Sequence, residues 1–129
     1  MATGREQGFL RWQWDHYERV HTQRLTLVVH LLTVPLFLCG TLALLTAPFV
    51  GWPNAVAGLV TILLVVIAQG RTHAREPNRP EPFLGPHDVV ARLFAEQWVT
   101  FPRFVWSGRF ADAWRKAGHF SGGGSAGSE

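Results

Sequence analysis

Between Leu25 and Gln69 the chain carries no Asp, Glu, Lys or Arg, although charged residues crowd both sides of that run. A helix needs about 20 predominantly apolar residues to cross a hydrocarbon core about 30 Å thick. The run is therefore long enough for two crossings joined by a tight turn. The break falls in Ala47-Pro48-Phe49-Val50-Gly51-Trp52-Pro53-Asn54, where two prolines and a glycine interrupt helix and a Trp suits the membrane interface. This pattern predicts an all-α fold, an integral membrane helical hairpin over about residues 25–76 with flanking amphipathic, interfacial helices. The alternative is a buried helical pair in a soluble bundle.

Arg5, Arg11, Arg19 and Arg24 precede the hairpin, Arg71, Arg75 and Arg79 follow it, and the turn has no charge. By the positive-inside rule both termini face the cytoplasm, in a bacterial inner membrane or an ER-like one. The first two dozen residues are polar and aromatic, and the apolar run exceeds a signal-peptide core, so the first helix reads as an uncleaved anchor. The net charge of +3 comes from scattered arginines without a basic block or nucleic-acid motif, so nucleic acid is not an expected partner. Cys39 is the single cysteine, and no disulfide can staple the fold. Residues 1–120 form one expected domain, followed by a low-complexity, disordered tail over 121–129.

Phe9 to Arg24 interleaves aromatic and charged residues, as a helix entering the headgroup layer would. The first hairpin helix is expected from Leu25 to Thr46, kinked at Pro35, and the second from an Asn54 N-cap through Ala68, with its pattern continuing to Glu76. Read as continuous helix, His16, Arg19, Gln23, Thr26 and His30 fall on one narrow polar face, which must meet protein or water. After the proline-rich stretch 76–86, an amphipathic helix is expected over His87–Thr100. Its apolar side is Val89, Val90, Leu93, Phe94, Trp98 and Phe101, and its charged row is Asp88, Arg92 and Glu96. Pro102 should break it before a second aromatic, basic segment through Trp114.

Counted outward from Val50, His30 lies twenty residues back and His73 twenty-three forward, so their levels differ by only ~5 Å at 1.5 Å rise per residue. His73 and Glu76 share a helical face. The hairpin thus brings two imidazoles and a carboxylate to one depth at the cytoplasmic rim. No glycine-rich phosphate loop or Gly-x-Ser-x-Gly elbow is present, and Cys39 in an apolar helix is a poor nucleophile. A carboxylate-bridged di-metal site would need a second His/Glu copy. What remains is a mononuclear site whose histidine and carboxylate ligands suit non-haem iron. Two other readings stay open: a non-catalytic membrane anchor or assembly protein, and a bis-histidine haem carrier using His30 and His73. His16, His87 and His119 receive no role.

Tyr17-x-x-x-His21, His30 and Pro35, together with Gln69-x-x-x-His73, Glu76 and Asn78-Arg79-Pro80, resemble the two motifs of the yeast-type 2-hydroxy-fatty-acid dioxygenases of sphingoid-base α-oxidation. The likeness covers about residues 10 to 106 and is divergent: Thr22-Gln23 stands where the family usually has Asn-Pro, Thr26 where it has Asn, and Thr72 where a Gly precedes the second-motif His. Glu76 follows His73 by three residues rather than four. His21 and His30, nine apart, share a metal only if the chain bends between them. The resemblance implies an Fe(II) dioxygenase that uses O₂ to shorten a 2-hydroxy fatty acid by one carbon with release of CO₂. It further implies His21, His30 and His73 as iron ligands and Glu76 as a ligand or as the group orienting an imidazole. Tyr17 and Gln69 would be supporting donors, and one of Arg71, Arg75 or Arg79 would hold the carboxylate.

Overall fold

The computed structural model describes residues 5–120, the side chains of 118–120 excepted, so the expected tail at 121–129 lies outside the described residues. Every regular element is helical, and no strand occurs among the described residues. Helix α1 (Phe9–Tyr17) follows a 3₁₀ turn at Arg5–Gln7 and ends in another at Glu18–Val20. The long helices α2 (Arg24–Val50) and α3 (Trp52–His73) come next. After the proline-rich stretch, α4 (Pro86–Ala95) runs through a π-helical turn at Glu96–Thr100 into α5 (Phe101–Trp106), and α6 (Arg109–Phe120) closes the order.

Helices α2 and α3 are both long and apolar enough to cross a membrane. Within their most apolar stretches only 33% and 17% of residues are buried, so the rest of the chain leaves most of their apolar surface uncovered. Leu32, Leu45, Phe49, Trp52 and Leu64 are among the exposed side chains. The two helices fold back on one another at Gly51, whose φ of 131° suits a residue without a Cβ. Farther along they meet through glycines: a Cβ on Gly58 would lie 2.6 Å from the Gly40 carbonyl oxygen, and one on Gly40 would lie 3.0 Å from that of Gly58. Small residues at such a crossing let two backbones approach closely.

Local details differ from the sequence expectations for identifiable reasons. Pro48 lies in the last turn of α2 rather than in the break, because the helix persists to Val50. Asn54 is not the N-cap of α3, which starts at Trp52. Its side-chain amide instead donates across the turn to the Ala43 carbonyl at 2.9 Å and to Thr46 Oγ1 at 3.0 Å. The continuous helix from His16 to His30 does not form. The chain tightens into the 3₁₀ turn at Glu18–Val20, leaves helical geometry at His21 (φ −131°, ψ 58°) and re-enters helix at Arg24, so the predicted single polar stripe is split. Pro102 does not end the helix before it: it occupies the first turn of α5, where its missing N–H is harmless.

Two apolar clusters anchor the flanking helices to one end of the hairpin. Trp14, Tyr17, Leu27, Val34, Phe101 and Phe104 form the first, joining α1, α2 and α5, with Phe110 and Trp114 of α6 packed on it. Phe37, Ile62 and Val65 form the second, with Leu93 and Phe94 of α4 against them. The predicted apolar side of the third helical segment is thereby divided. Leu93, Phe94 and Phe101 pack inward, while Val90 and Trp98 remain exposed.

Candidate metal centre

The bend between α1 and α2 turns His21 back toward His30. Their Nε2 atoms lie 3.4 Å apart, each ring is almost fully buried, and the rings meet edge to face. His21 Nδ1–H donates to the Tyr17 carbonyl at 2.7 Å and His30 Nδ1–H to the Thr26 carbonyl at 2.8 Å. Donation at Nδ1 fixes the tautomer that leaves each Nε2 with a free lone pair. Burial lowers the pKa of His21, which keeps its imidazole neutral as a ligand requires. The end of α3 supplies the third ring: the His73 centroid is 4.7 Å from that of His21 and 5.0 Å from that of His30.

The carboxylate that completes this group comes from Glu96, at the start of the π-helical turn. Its Oε1 is 3.2 Å from His30 Nε2 and 3.4 Å from His21 Nε2. One potential ligand atom from each of His21, His30, His73 and Glu96 falls within 4.8 Å of all the others. Metal–ligand bonds about 2.1 Å long set ligand–ligand edges of about 3.4 Å in a tetrahedron and about 3.0 Å between adjacent octahedral positions. The distances around Glu96 lie in that interval. His73 Nδ1 is buried with no hydrogen-bond partner among the described residues, a condition that coordination would relieve. The donor set, its spacing and this orphaned nitrogen all fit a divalent transition-metal ion. They do not fit a bis-histidine haem, because His21 and Glu96 crowd the space that the flat macrocycle would fill between His30 and His73.

Glu76, expected at the metal, is directed elsewhere. It lies just past α3, and its carboxylate accepts from the backbone N–H groups of Thr22 and Gln23, each at 3.0 Å, and from the Thr22 hydroxyl. There it meets the positive end of α2 and closes the bend that presents His21. The physical reason is reach: after His73 the chain turns away from the ring cluster toward the start of α2. The sequence pattern places Glu96 in the charged row of the amphipathic helix, opposite its apolar side. Asp88 and Arg92 do pair, at 3.7 Å, but one helical turn later the π geometry carries Glu96 inward. π turns occur frequently at functional sites.

Tyr17 stacks on His21 with centroids 3.9 Å apart and donates its hydroxyl to Glu96 Oε1 at 3.2 Å. Burial, reinforced by the neighbouring carboxylate, raises its pKa and keeps it a donor. Gln69 reaches none of the four ligands. It forms a reciprocal amide pair with Gln97 (3.1 and 2.7 Å) and donates to Thr33 Oγ1 at 2.8 Å. Gln13 plays the matching part for α1, accepting from Thr100 at 2.7 Å and donating to the Arg92 carbonyl at 2.9 Å. These buried amides fix the π turn, and with it Glu96, against both α1 and α3.

A cavity of about 720 Å³ opens beside the cluster, with His21, His73 and Glu96 in its wall and Trp12, Val66 and Leu93 among its apolar lining. That volume is in the range of small-molecule sites. Arg71, Arg75 and Arg79 are all exposed, and of the three only Arg79 lines the cavity. Glu96, Gln97 and Arg19, which also lines the cavity, are not assigned to the site by the sequence reading. Gln97 did carry a signal, since it lies between Leu93, Phe94 and Phe101 on an otherwise apolar face. No protein-family model, curated protein or solved structure matches the chain.

Proposed function

We propose that this protein is an integral membrane, iron(II)-dependent dioxygenase that converts a 2-hydroxy fatty acid to the acid one carbon shorter. In this reading α2 and α3 form a membrane hairpin, with both ends of the chain and the metal centre at the cytoplasmic surface. The observation that carries it is the convergence of His21, His30, His73 and Glu96 beside a partly apolar cavity, at the same end of two lipid-compatible helices. The motif resemblance supports the choice of reaction.

His21, His30, His73 and Glu96 would hold the iron(II), which would supply the activation of dioxygen toward a bound hydroxy acid. Overall, R–CH(OH)–COOH and O₂ give R–COOH, CO₂ and H₂O. The four electrons leaving the substrate are those that O₂ takes up, so no separate reductant is required. His21 and His30 direct their Nε2 atoms into the cluster because their Nδ1–H groups are already committed to carbonyls. Tyr17 holds Glu96 by its hydroxyl and His21 by stacking, limiting the freedom of two ligands at once. The apolar cavity wall receives the acyl chain.

The test is purification in detergent, metal analysis and a visible spectrum, then incubation with Fe(II), air and 2-hydroxypalmitate. Expected are about one iron per chain, no Soret band, and production of the C15 acid with CO₂. His73→Ala should abolish both iron retention and turnover. Wild-type protein that holds no metal would point to a non-catalytic anchor, and unchanged turnover in His73→Ala would remove this centre from the reaction.

A further inference from the structure

The cationic side chains of the cavity are not equivalent, and their partners separate them. Of the described arginines, Arg5 and Arg92 pair with Asp88, Arg11 with Asp15, Arg109 with Glu18 and Arg115 with Asp112. Arg24 and Arg103 lie over the rings of Trp114 and Trp14. Arg19, Arg71, Arg75 and Arg79 have neither an acidic partner nor an aromatic one among the described residues. Of these four, only Arg19 and Arg79 line the cavity beside the metal cluster.

The two segments that bear them are tied together. Asn78 Nδ2 donates to the Arg19 carbonyl at 3.3 Å, so the residue preceding Arg79 is hydrogen-bonded to Arg19 itself. Both positions sit close in sequence to a ligand: Arg19 precedes His21 by two residues, and Arg79 follows His73 by six. Neither carboxylate of the cavity forms an ion pair with an arginine among the described residues. Glu96 faces the imidazoles and Tyr17, and Glu81 lies 3.8 Å from His16 Nε2. The third cavity arginine, Arg92, is neutralised by Asp88, donates to the Glu81 carbonyl at 2.8 Å and lies over Phe83. Arg19 and Arg79 are therefore the two cavity guanidinium groups, both exposed at its rim, that no acidic or aromatic side chain engages among the described residues.

Resting on the dioxygenase reading, we infer that Arg19 and Arg79 together form a carboxylate receptor that makes the free fatty acid, not its ester or amide, the ligand of this cavity. A guanidinium presents a planar fork of N–H donors that matches a carboxylate with two parallel hydrogen bonds. An ester or amide head offers no negative charge to either arginine. The receptor selects the class of substrate and positions its polar end at the rim, leaving the acyl chain against Val66, Leu93 and the other apolar wall residues.

The test uses palmitate and methyl palmitate as probes, titrated into iron-loaded, detergent-solubilised protein with tryptophan fluorescence as readout, since Trp12 lines the cavity. Wild type should bind palmitate more tightly than the ester. Arg19→Gln with Arg79→Gln should weaken palmitate by about ten- to a hundredfold, the scale of charge-assisted hydrogen bonds, and leave methyl palmitate within twofold. Arg71→Gln with Arg75→Gln should keep the wild-type preference, and unchanged iron content in both variants shows that the fold is intact. Equal binding of the two probes by wild type, or a preference retained by the Arg19/Arg79 variant, overturns the inference. Palmitate has no 2-hydroxyl, so its binding is read apart from turnover. Absence of C15 acid with palmitate selectivity intact would sink the dioxygenase reading alone.

Discussion

In the half of the hairpin near its turn, α2 and α3 meet through Gly40 and Gly58 and present leucine, valine and phenylalanine outward. At the opposite end the same two helices hold His30, Thr33, Gln69 and His73 between them and draw in side chains from α1 and the π turn. The first region is specified by what its residues lack: no charge, and at the crossing no side chain. Many apolar sequences satisfy it equally well. The second is specified by pairings between residues far apart in the chain, each of which leaves a buried polar group unsatisfied if broken. One half is a scaffold that tolerates variation, and the other is a site that does not.

The largest expected effect lies in the polar half. His30→Ala and Glu96→Gln should each reduce bound iron from about one per chain to less than about a tenth. Oxidation of 2-hydroxypalmitate should fall by more than about a hundredfold, since even residues behind a metal ligand are typically worth 10–100-fold. Helical circular dichroism should hardly change, because the Gly40–Gly58 crossing and the flanking apolar clusters remain. Full iron retention by His30→Ala would erase the distinction between the two regions.

The apolar half should respond in stability. Gly58→Leu forces atoms into a contact already only 2.6 Å from the Gly40 carbonyl oxygen for a single Cβ. Overpacking of this kind costs about 1–3 kcal/mol, read as a lower unfolding midpoint in detergent. Gly70→Ala is the matched control. Nothing lies within 4 Å of its added Cβ, so stability should hold or rise by about 0.5–1 kcal/mol from the better helix former. A Gly58→Leu protein as stable as wild type would mean that the helices do not cross there.

The contrast also explains what the sequence discloses. An uncharged run with a Pro/Gly break is local information, so the helix pair and its turn were legible from it. Counting from the turn was enough to put His30 and His73 at one level. The position of His21 depends on a bend that has no strong local breaker at Thr22-Gln23 and is held by Glu76, more than fifty residues away. Reading straight helix through that bend misplaces the polar stripe, and the resemblance implies Glu76 as a ligand or as the group that orients an imidazole, whereas its carboxylate caps the start of α2. Glu96 was hidden because its i, i+4 spacing with Arg92 imitates a solvated row, whereas the π turn that rotates it inward follows from its contacts with other helices.

Those two carboxylates give the most discriminating prediction. Burial by itself would raise the pKa of Glu76, but the hydrogen bonds from Thr22 and Gln23 outweigh it and hold the group below its ordinary value of 4.5. A folded-state pKa below the unfolded one contributes stability that is fully present above about pH 4.5 and is lost as the pH falls through the lower folded value. Glu76→Gln should therefore lower stability by about 1–2 kcal/mol at pH 7, the scale of a lost helix cap. It should flatten the stability profile below pH 4.5 and leave iron bound at pH 7. Glu96→Gln should do the reverse at pH 7, losing iron with little change in unfolding of the metal-free protein. Were Glu76→Gln to shed iron as completely as Glu96→Gln, the carboxylate at the start of α2 would have to be counted with the metal after all.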